Sequence, residues 1–228
     1  MNPTEIITMA KEWLLAFVRY LGLLLSTPSE KTEKGVSTAD TLGAEDGMGI
    51  AISSGHGARI PGAVGILDEV REARRVVRAV AKHLGETGVT VHGFHDDESC
   101  TPWQNLGTII GWHNRQDRCL DVSVHFNAFM PTDGSRGTEV LHLPDSEMDL
   151  AARVSKAIAV AGGFRDRGPM VRGDLAFLNR TDKPAILIEV CFVDSATDAR
   201  LYGENFDAIC LAIAGALRDS VLSSMEDV

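Results

Sequence analysis

The stretch PAILIEVCF, residues 184–192, is apolar along almost its whole length. A strand with one solvated face alternates apolar and polar residues, whereas a strand covered on both faces is apolar throughout. Residues 185–192 therefore predict a central strand of a sheet that has helices on both sides. Glu189 is the only carboxylate in this run, and it stands out because glutamate is rarely buried without a partner.

Short apolar runs alternate with helical patterns on the N-terminal side of this strand. The strand candidates are MGIAIS (48–53), VTVHGF (89–94), LDVSVHFNA (120–128) and GTEVLHL (137–143). Helical patterns occupy residues 68–88, 101–116 and 145–163, and a last one, 206–222, follows the central strand. Such alternation is typical of an α/β fold. We expect a largely parallel central sheet of about six strands flanked by helices.

Residues 1–47 have a different composition. Asn2, Pro3 and Glu5 form a helix-start pattern, and the apolar residues from Ile6 to Leu25 follow helical spacing. Residues 26–47 are polar and lack aromatics, as linkers do. We divide the chain into an amphipathic helix on a flexible linker (1–47) and a larger domain (48–228). The helix is expected to dock on that domain or mediate self-association; weak membrane-surface contact and a vestigial leader are the alternatives.

Composition and charge exclude some classes of partner and location. The net charge of −10, without clusters of Lys and Arg, argues against nucleic-acid binding. The four cysteines are scattered without a CxxC pair, which favours reduced thiols in a cytoplasm. No positive charge precedes Lys11, and Arg19 interrupts the apolar run. We therefore predict neither a signal peptide nor a transmembrane helix.

Three side chains are candidates for a chemical site. His56 lies in the glycine-rich loop SSGHGARIPGAVG (53–65), His125 near the end of one predicted strand and Glu189 in another. Sites in α/β folds form where parallel strands end. Two histidines and a glutamate are a ligand set of catalytic zinc, with a further carboxylate as general base. The spacing alone is not specific, since His125 could be a core histidine and Glu189 half of a buried ion pair.

Four motifs stand together in one order and spacing: the glycine-rich loop, SVHFNA (123–128), DRG (166–168) and PAILIEVCFVDS (184–195). In the order and spacing of these motifs, the chain resembles the zinc-dependent N-acetylmuramoyl-L-alanine amidases over nearly all of residues 48–222. It is most similar to the compact catalytic domains of phage endolysins. The resemblance implies one zinc ion per chain, with His56 and His125 as ligands and Glu189 as the catalytic glutamate.

The resemblance also implies a third ligand, a glutamate at the start of the helix that follows the glycine-rich loop. Glu69 and Glu72 both fit that description. We favour Glu69, because core-facing spacing from it falls on apolar positions: Val76, Val77, Val80 and Leu84. Glu72 stays as the alternative ligand. Asn127 and Arg167 are candidates for contacts with substrate or with the ligands. The other histidines are interpreted as surface or packing residues: His83, His92, His95, His113 and His142.

The function implied by the resemblance is hydrolysis of the amide between N-acetylmuramic acid and L-alanine in peptidoglycan. An endolysin-type lytic enzyme would be made in the cytoplasm and act on the cell wall after release or delivery. The chain departs from many relatives at Ala58, Cys191 and Asp194–Ser195, none of which is an implied ligand. The segment between His125 and Glu189 is too short for the extra helix that blocks some periplasmic relatives. A zinc peptidase of the stem peptide and a non-catalytic peptidoglycan-binding module are the alternatives.

Overall fold

The computed structural model describes residues 49–144 and 146–226, with side chains as far as residue 223. The helix and linker predicted for residues 1–47 lie outside the described residues. The described strands are β1 (Ile50–Ser54), β2 (Val91–Phe94), β3 (Leu120–Asn127), β4 (Thr138–His142), β5 (Asp166–Val171) and β6 (Ala185–Phe192). The helices are α1 (Glu69–Glu86), α2 (Pro102–His113), α3 (Met148–Gly162), α4 (Ala176–Arg180) and α5 (Ala196–Glu226).

The six strands form one sheet in the order β2-β1-β3-β6-β4-β5. Strands β2, β1, β3 and β6 run parallel to one another, and β4 is antiparallel to β6 but parallel to β5. β6 lies between β3 and β4, and every residue of it except Glu189 is buried. The predicted α/β fold with a largely parallel sheet and a central, doubly covered strand is therefore confirmed.

Helices α1, α3 and α5 cover one face of the sheet and form the larger core. α1 begins after Asp68, whose side chain accepts a hydrogen bond from the Arg71 N–H at 3.0 Å. Its predicted apolar face is buried in this core: Val76, Val77, Val80 and Leu84. No helix in the described part of the chain is long and apolar enough to cross a membrane.

The opposite face of the sheet is covered only in part. A smaller apolar cluster lies there under α2 and α4, made of Ile109, Leu141, Phe177, Leu178, Ala185 and Leu187. Side chains two residues apart on a strand point to the same face. Glu189 and Glu139, two positions from Leu187 and Leu141, therefore lie on this face beyond the apolar cluster. This places polar groups at the carboxyl end of β6, where the helical cover ends.

Three elements differ from the sequence-based expectations. β5 was not predicted, because it is an edge strand whose residues are exposed or half-buried and include Gly168 and Pro169. α4 was not predicted either, and it is only five residues long. The last helix begins at Ala196 instead of residue 206, and a bend at Asn205 (φ −118°, ψ 18°) separates its two parts.

Candidate active site

Gly55 follows β1 and makes room for an imidazole from the neighbouring strand. Its N–H donates to the carbonyl of Val124 at 3.0 Å, so its backbone continues the pairing with β3. A Cβ atom at position 55 would lie 1.8 Å from Nε2 of His125. Only glycine leaves that space free, and the His125 ring therefore lies across the end of β1.

His56 stands next to this ring. The centroids of the His56 and His125 imidazoles are 5.2 Å apart in an edge-to-face arrangement. The loop that carries His56 is fixed at two points: Ala58 N–H donates to Asp96 O at 2.8 Å, and Ile66 N–H donates to Val193 O at 2.8 Å. Together with the bond from the Gly55 N–H to Val124 O, these two bonds hold the backbone on both sides of His56.

Glu69, the first residue of α1, completes the group. Its Oε1 lies 3.0 Å from Nδ1 of His125 and 3.5 Å from Nε2 of His56. Its Oε2 accepts a hydrogen bond from the Ala63 N–H at 2.6 Å. A Cβ at Gly62 would lie 2.6 Å from that same oxygen, so glycine lets the loop backbone approach the carboxylate.

The protonation states of these groups suit metal binding. Burial by itself raises the pKa of Glu69, but the imidazoles of His56 and His125 and the Ala63 N–H lower it to about 2. Burial lowers the pKa of His56, against the opposing charge of Glu69. An ionised carboxylate and a neutral imidazole are the forms that bind a metal.

The three side chains form a candidate metal site. Each of His56, Glu69 and His125 offers a ligand atom, and these atoms all lie within 4.8 Å of one another. Nδ1 of His56 is buried and has no hydrogen-bond partner among the described residues. Two imidazoles and one carboxylate are a donor set typical of catalytic zinc, which keeps its remaining position open.

Glu72, the alternative ligand, has other partners. Its Oε2 accepts a hydrogen bond from the Tyr202 hydroxyl at 3.0 Å and pairs with Arg75 at 2.5 Å. Its Oε1 pairs with Nε of Arg71 at 2.7 Å. Both oxygens of Glu72 are therefore taken by these partners, and Glu72 is not part of the group formed by Glu69 and the two imidazoles.

Two of the histidines interpreted as surface or packing residues, and Cys191, have partners or surroundings of their own. The Nδ1 of His113 lies 2.7 Å from Asp121, and its Nε2 lies 2.9 Å from Ser53, all three side chains being buried. His95 bonds to Ser54 at 3.0 Å. Cys191 is fully buried, and burial raises the pKa of its thiol well above the ordinary value. These contacts give the residues a packing role.

Glu189 lies in a row of side chains that crosses three strands. His125 on β3 is its register partner on one side, and Glu139 on β4 is its register partner on the other. The Oε2 of Glu189 is buried without a hydrogen-bond partner among the described residues. Burial raises the pKa of Glu189 well above the usual value, and the carboxylates of Glu69 and Glu139 raise it further. The Arg172 charge opposes this rise, but no ion-pair contact joins Glu189 to a cation within the described part of the chain.

Glu139 is the residue that the sequence analysis missed. It accepts a hydrogen bond from Nδ2 of Asn127 at 2.8 Å and one from Nε of Arg167 at 2.5 Å. The two polar candidates thus meet on this carboxylate, one position beyond Glu189 in the row. A lone carboxylate in the apolar strand GTEVLHL is the sequence signal that could have found it.

A family model described as N-acetylmuramoyl-L-alanine amidase matches residues 50–219, which include the row and the three converging side chains. An uncharacterised protein of Clostridium perfringens (strain 13 / Type A) is 31% identical over 181 residues, or 75% of this chain and 52% of the relative. The chain therefore spans about half the length of the curated relatives it matches.

Solved structures share the fold. The catalytic domain of the CD27L endolysin targeting Clostridia difficile matches with a TM-score of 0.69 at 22% identity, over 75% of this chain and 97% of that domain. The catalytic domain of CwlV, an N-acetylmuramoyl-L-alanine amidase from Bacillus (Paenibacillus) polymyxa var. colistinus, matches with a TM-score of 0.66 at 24% identity. That match covers 76% of this chain and 98% of the CwlV domain.

Proposed function

The chain belongs to the N-acetylmuramoyl-L-alanine amidase family, and we propose that it hydrolyses the amide between N-acetylmuramic acid and the L-alanine of the peptidoglycan stem peptide. The observation that carries this proposal is the convergence of His56, Glu69 and His125 within a match that spans residues 50–219. The three ligand-type side chains come from a loop, a helix and a strand, so their convergence does not follow from sequence proximity.

His56, Glu69 and His125 would hold one Zn²⁺ ion. The chemistry that zinc supplies in such a site is Lewis acidity, toward a carbonyl oxygen and toward water. The backbone N–H groups of Ala63 and Phe126 orient the Glu69 carboxylate, at 2.6 and 3.1 Å. Hydrogen bonds of this kind, outside the ligand set, fix the direction of a ligand atom.

Glu189 is the group to which we assign proton transfer. It lies beside His125 in the row, and its buried Oε2 has no partner within the described part of the chain. An unpaired carboxylate can accept the proton of the attacking water and donate it to the nitrogen of the departing L-alanine. Glu139, which is held by Asn127 and Arg167, has no free oxygen for this role.

The chain between His125 and Glu189 contributes α3, which packs in the larger core on the other face, and the five-residue α4. α3 lies in the larger core and α4 covers the smaller apolar cluster, so neither is an extra helix over the row. A lytic, endolysin-type role on cell walls is therefore part of the proposal.

Mass spectrometry of products released from purified peptidoglycan tests this proposal. We expect stem peptides that begin with a free L-alanine amino group, and glycan that keeps a free lactyl carboxylate. Release of shorter peptides, with L-alanine left on the glycan, would instead identify a peptidase of the stem. Binding to peptidoglycan without soluble products would identify a non-catalytic module.

A further inference from the structure

The loop between β3 and β4, residues 128–137, lies next to the row of carboxylates and is anchored through its backbone. Asp194 accepts a hydrogen bond from the Phe129 N–H at 2.8 Å. Asp198, which is fully buried, accepts from the N–H groups of Arg136 at 3.1 Å and Gly137 at 2.9 Å. These bonds use backbone groups of the loop, so they do not themselves require the side chains of Phe129 and Arg136.

Two arginines and two aromatic rings extend from the row along this loop. The Arg167 guanidinium, which is paired with Glu139, lies 5.2 Å from the centroid of the Phe192 ring. The Arg136 guanidinium lies 5.6 Å from Phe192 and 4.9 Å from Phe129. Phe129 is 69% exposed, which leaves most of its ring open to solvent. These four side chains therefore form a continuous series from Glu139 to the exposed ring of Phe129.

Arg136 differs from its neighbours because no carboxylate neutralises it within the described ranges. Arg167 is paired with Glu139, and Arg172 is paired with Asp174. Arg136 donates from Nη2 to the Met130 carbonyl at 2.9 Å, and its buried Nε–H has no hydrogen-bond partner among the described residues. In a chain of net charge −10, this cation is available to an anionic ligand.

We propose that Arg136 and Phe129 bind the second residue of the stem peptide. This inference rests on the proposed function, because it requires the L-alanine amide to lie at Glu189. The second residue of the stem is a D-glutamate linked through its γ-carboxyl, so its α-carboxyl is either free or amidated to isoglutamine. The Arg136 guanidinium would bind the free carboxylate, and the Phe129 ring would contact the aliphatic part of the same residue.

Two synthetic muropeptides that differ only in this group test the proposal. One carries isoglutamate and the other isoglutamine, and kcat/KM is measured for both with the wild-type full chain. We expect a preference of about tenfold for the carboxylate, the effect of roughly one charge-assisted hydrogen bond. Arg136→Gln should bring the ratio of the two kcat/KM values close to 1. Arg136→Lys keeps the charge but loses the planar fork, so it should lower the ratio by less.

Arg200→Gln is the matched control, because Arg200 is an exposed arginine of α5 that pairs with Glu204. It should keep the wild-type ratio. Equal turnover of both substrates by the wild type would overturn the proposal. An equal loss on both substrates in Arg136→Gln, with a wild-type ratio that persists, would also overturn it and assign Arg136 a structural role. No turnover of either substrate by the wild type would instead contradict the proposed function, on which the inference rests.

Discussion

Gly55 and His125 are complementary: the absence of a side chain on one provides the space for the imidazole of the other. A Cβ at position 55 would lie 1.8 Å from Nε2 and 1.9 Å from Cε1 of His125. The atoms that the added Cβ would meet belong to the imidazole ring itself, and not to the flexible end of a long side chain that could move aside. The glycine after β1 is therefore part of the site, although it contributes no functional group.

Gly55→Ala should displace the His125 ring and so disrupt the metal centre. We expect loss of zinc binding and a fall in kcat/KM of about 100-fold or more, since an error of about 1 Å in a site can cost that much. Gly215→Ala is the control, because an added Cβ in this part of α5 meets no atom within 4 Å. It should stabilise the protein by about 0.5–1 kcal/mol and leave activity intact. Full activity in Gly55→Ala would contradict the geometry.

Glu189→Gln should separate catalysis from metal binding. The amide has the shape of the carboxylic acid but cannot accept the proton of water. We expect kcat/KM to fall by about 10²–10⁴-fold, the usual contribution of a general acid–base group. Zinc content should stay at the wild-type level. Glu204→Gln, a change of the same kind in the exposed pair with Arg200, should have no effect on either measurement.

A buried polar network joins three elements away from the site. His113 of α2 lies between Ser53 of β1 and Asp121 of β3, and Arg118 pairs with the same aspartate at 2.8 Å. Burial lowers the pKa of His113, and it outweighs the opposing effect of Asp121. Burial raises the pKa of Asp121, but its hydrogen bonds from His113 and Arg118 outweigh this and lower it overall. Both groups therefore bind protons less readily in the folded chain than in the unfolded chain.

This network predicts that acid destabilises the protein. The unfolded state takes up more protons, so the free energy of unfolding should fall as the pH drops below about 6.5, the unfolded pKa of histidine. The contribution of Asp121 is lost only at lower pH, near and below its unfolded pKa of about 4. We expect urea unfolding to show a smaller difference between pH 7.5 and pH 5.5 in His113→Gln than in the wild type.

His83→Gln serves as the control for this measurement, because His83 is a partly exposed residue of α1 beside Glu86. Its difference between the two pH values should match that of the wild type. An unchanged pH dependence in His113→Gln would show that the network does not retain a neutral histidine.

The features of the fold that follow from simple periodicity were predictable. The almost continuous apolar run at 185–192 indicated the central strand, and the spacing of apolar residues indicated α1. β5 gave no such signal, because an edge strand with exposed residues, a glycine and a proline lacks both alternation and an apolar run. The start of α5 was missed because the bend at Asn205 divides its pattern.

The sequence indicated which residues are candidates for the site, but not which of them are in contact with one another. Glu69 and Glu72 are three residues apart on one helix, and periodicity places both near the sheet. Their roles differ because Glu69 reaches the imidazoles at the strand ends, whereas Glu72 bonds to Tyr202 of α5 and to Arg75 of its own helix. The roles of Glu139 and Arg136 depend on the pairing of β4 with β6 and on the anchored loop, which involve contacts between distant parts of the chain.

The most direct test of the site is the zinc content of the wild type, Glu69→Ala and Glu72→Ala, measured by elemental analysis of the purified full-length proteins. We predict one zinc per chain in the wild type and in Glu72→Ala, and none in Glu69→Ala, because Glu69, and not Glu72, belongs with His56 and His125 to the described group of ligand atoms within 4.8 Å of one another. Circular dichroism on the same samples establishes that each variant is folded. Zinc retained by folded Glu69→Ala, or absent from the wild type, would contradict the metal centre described above.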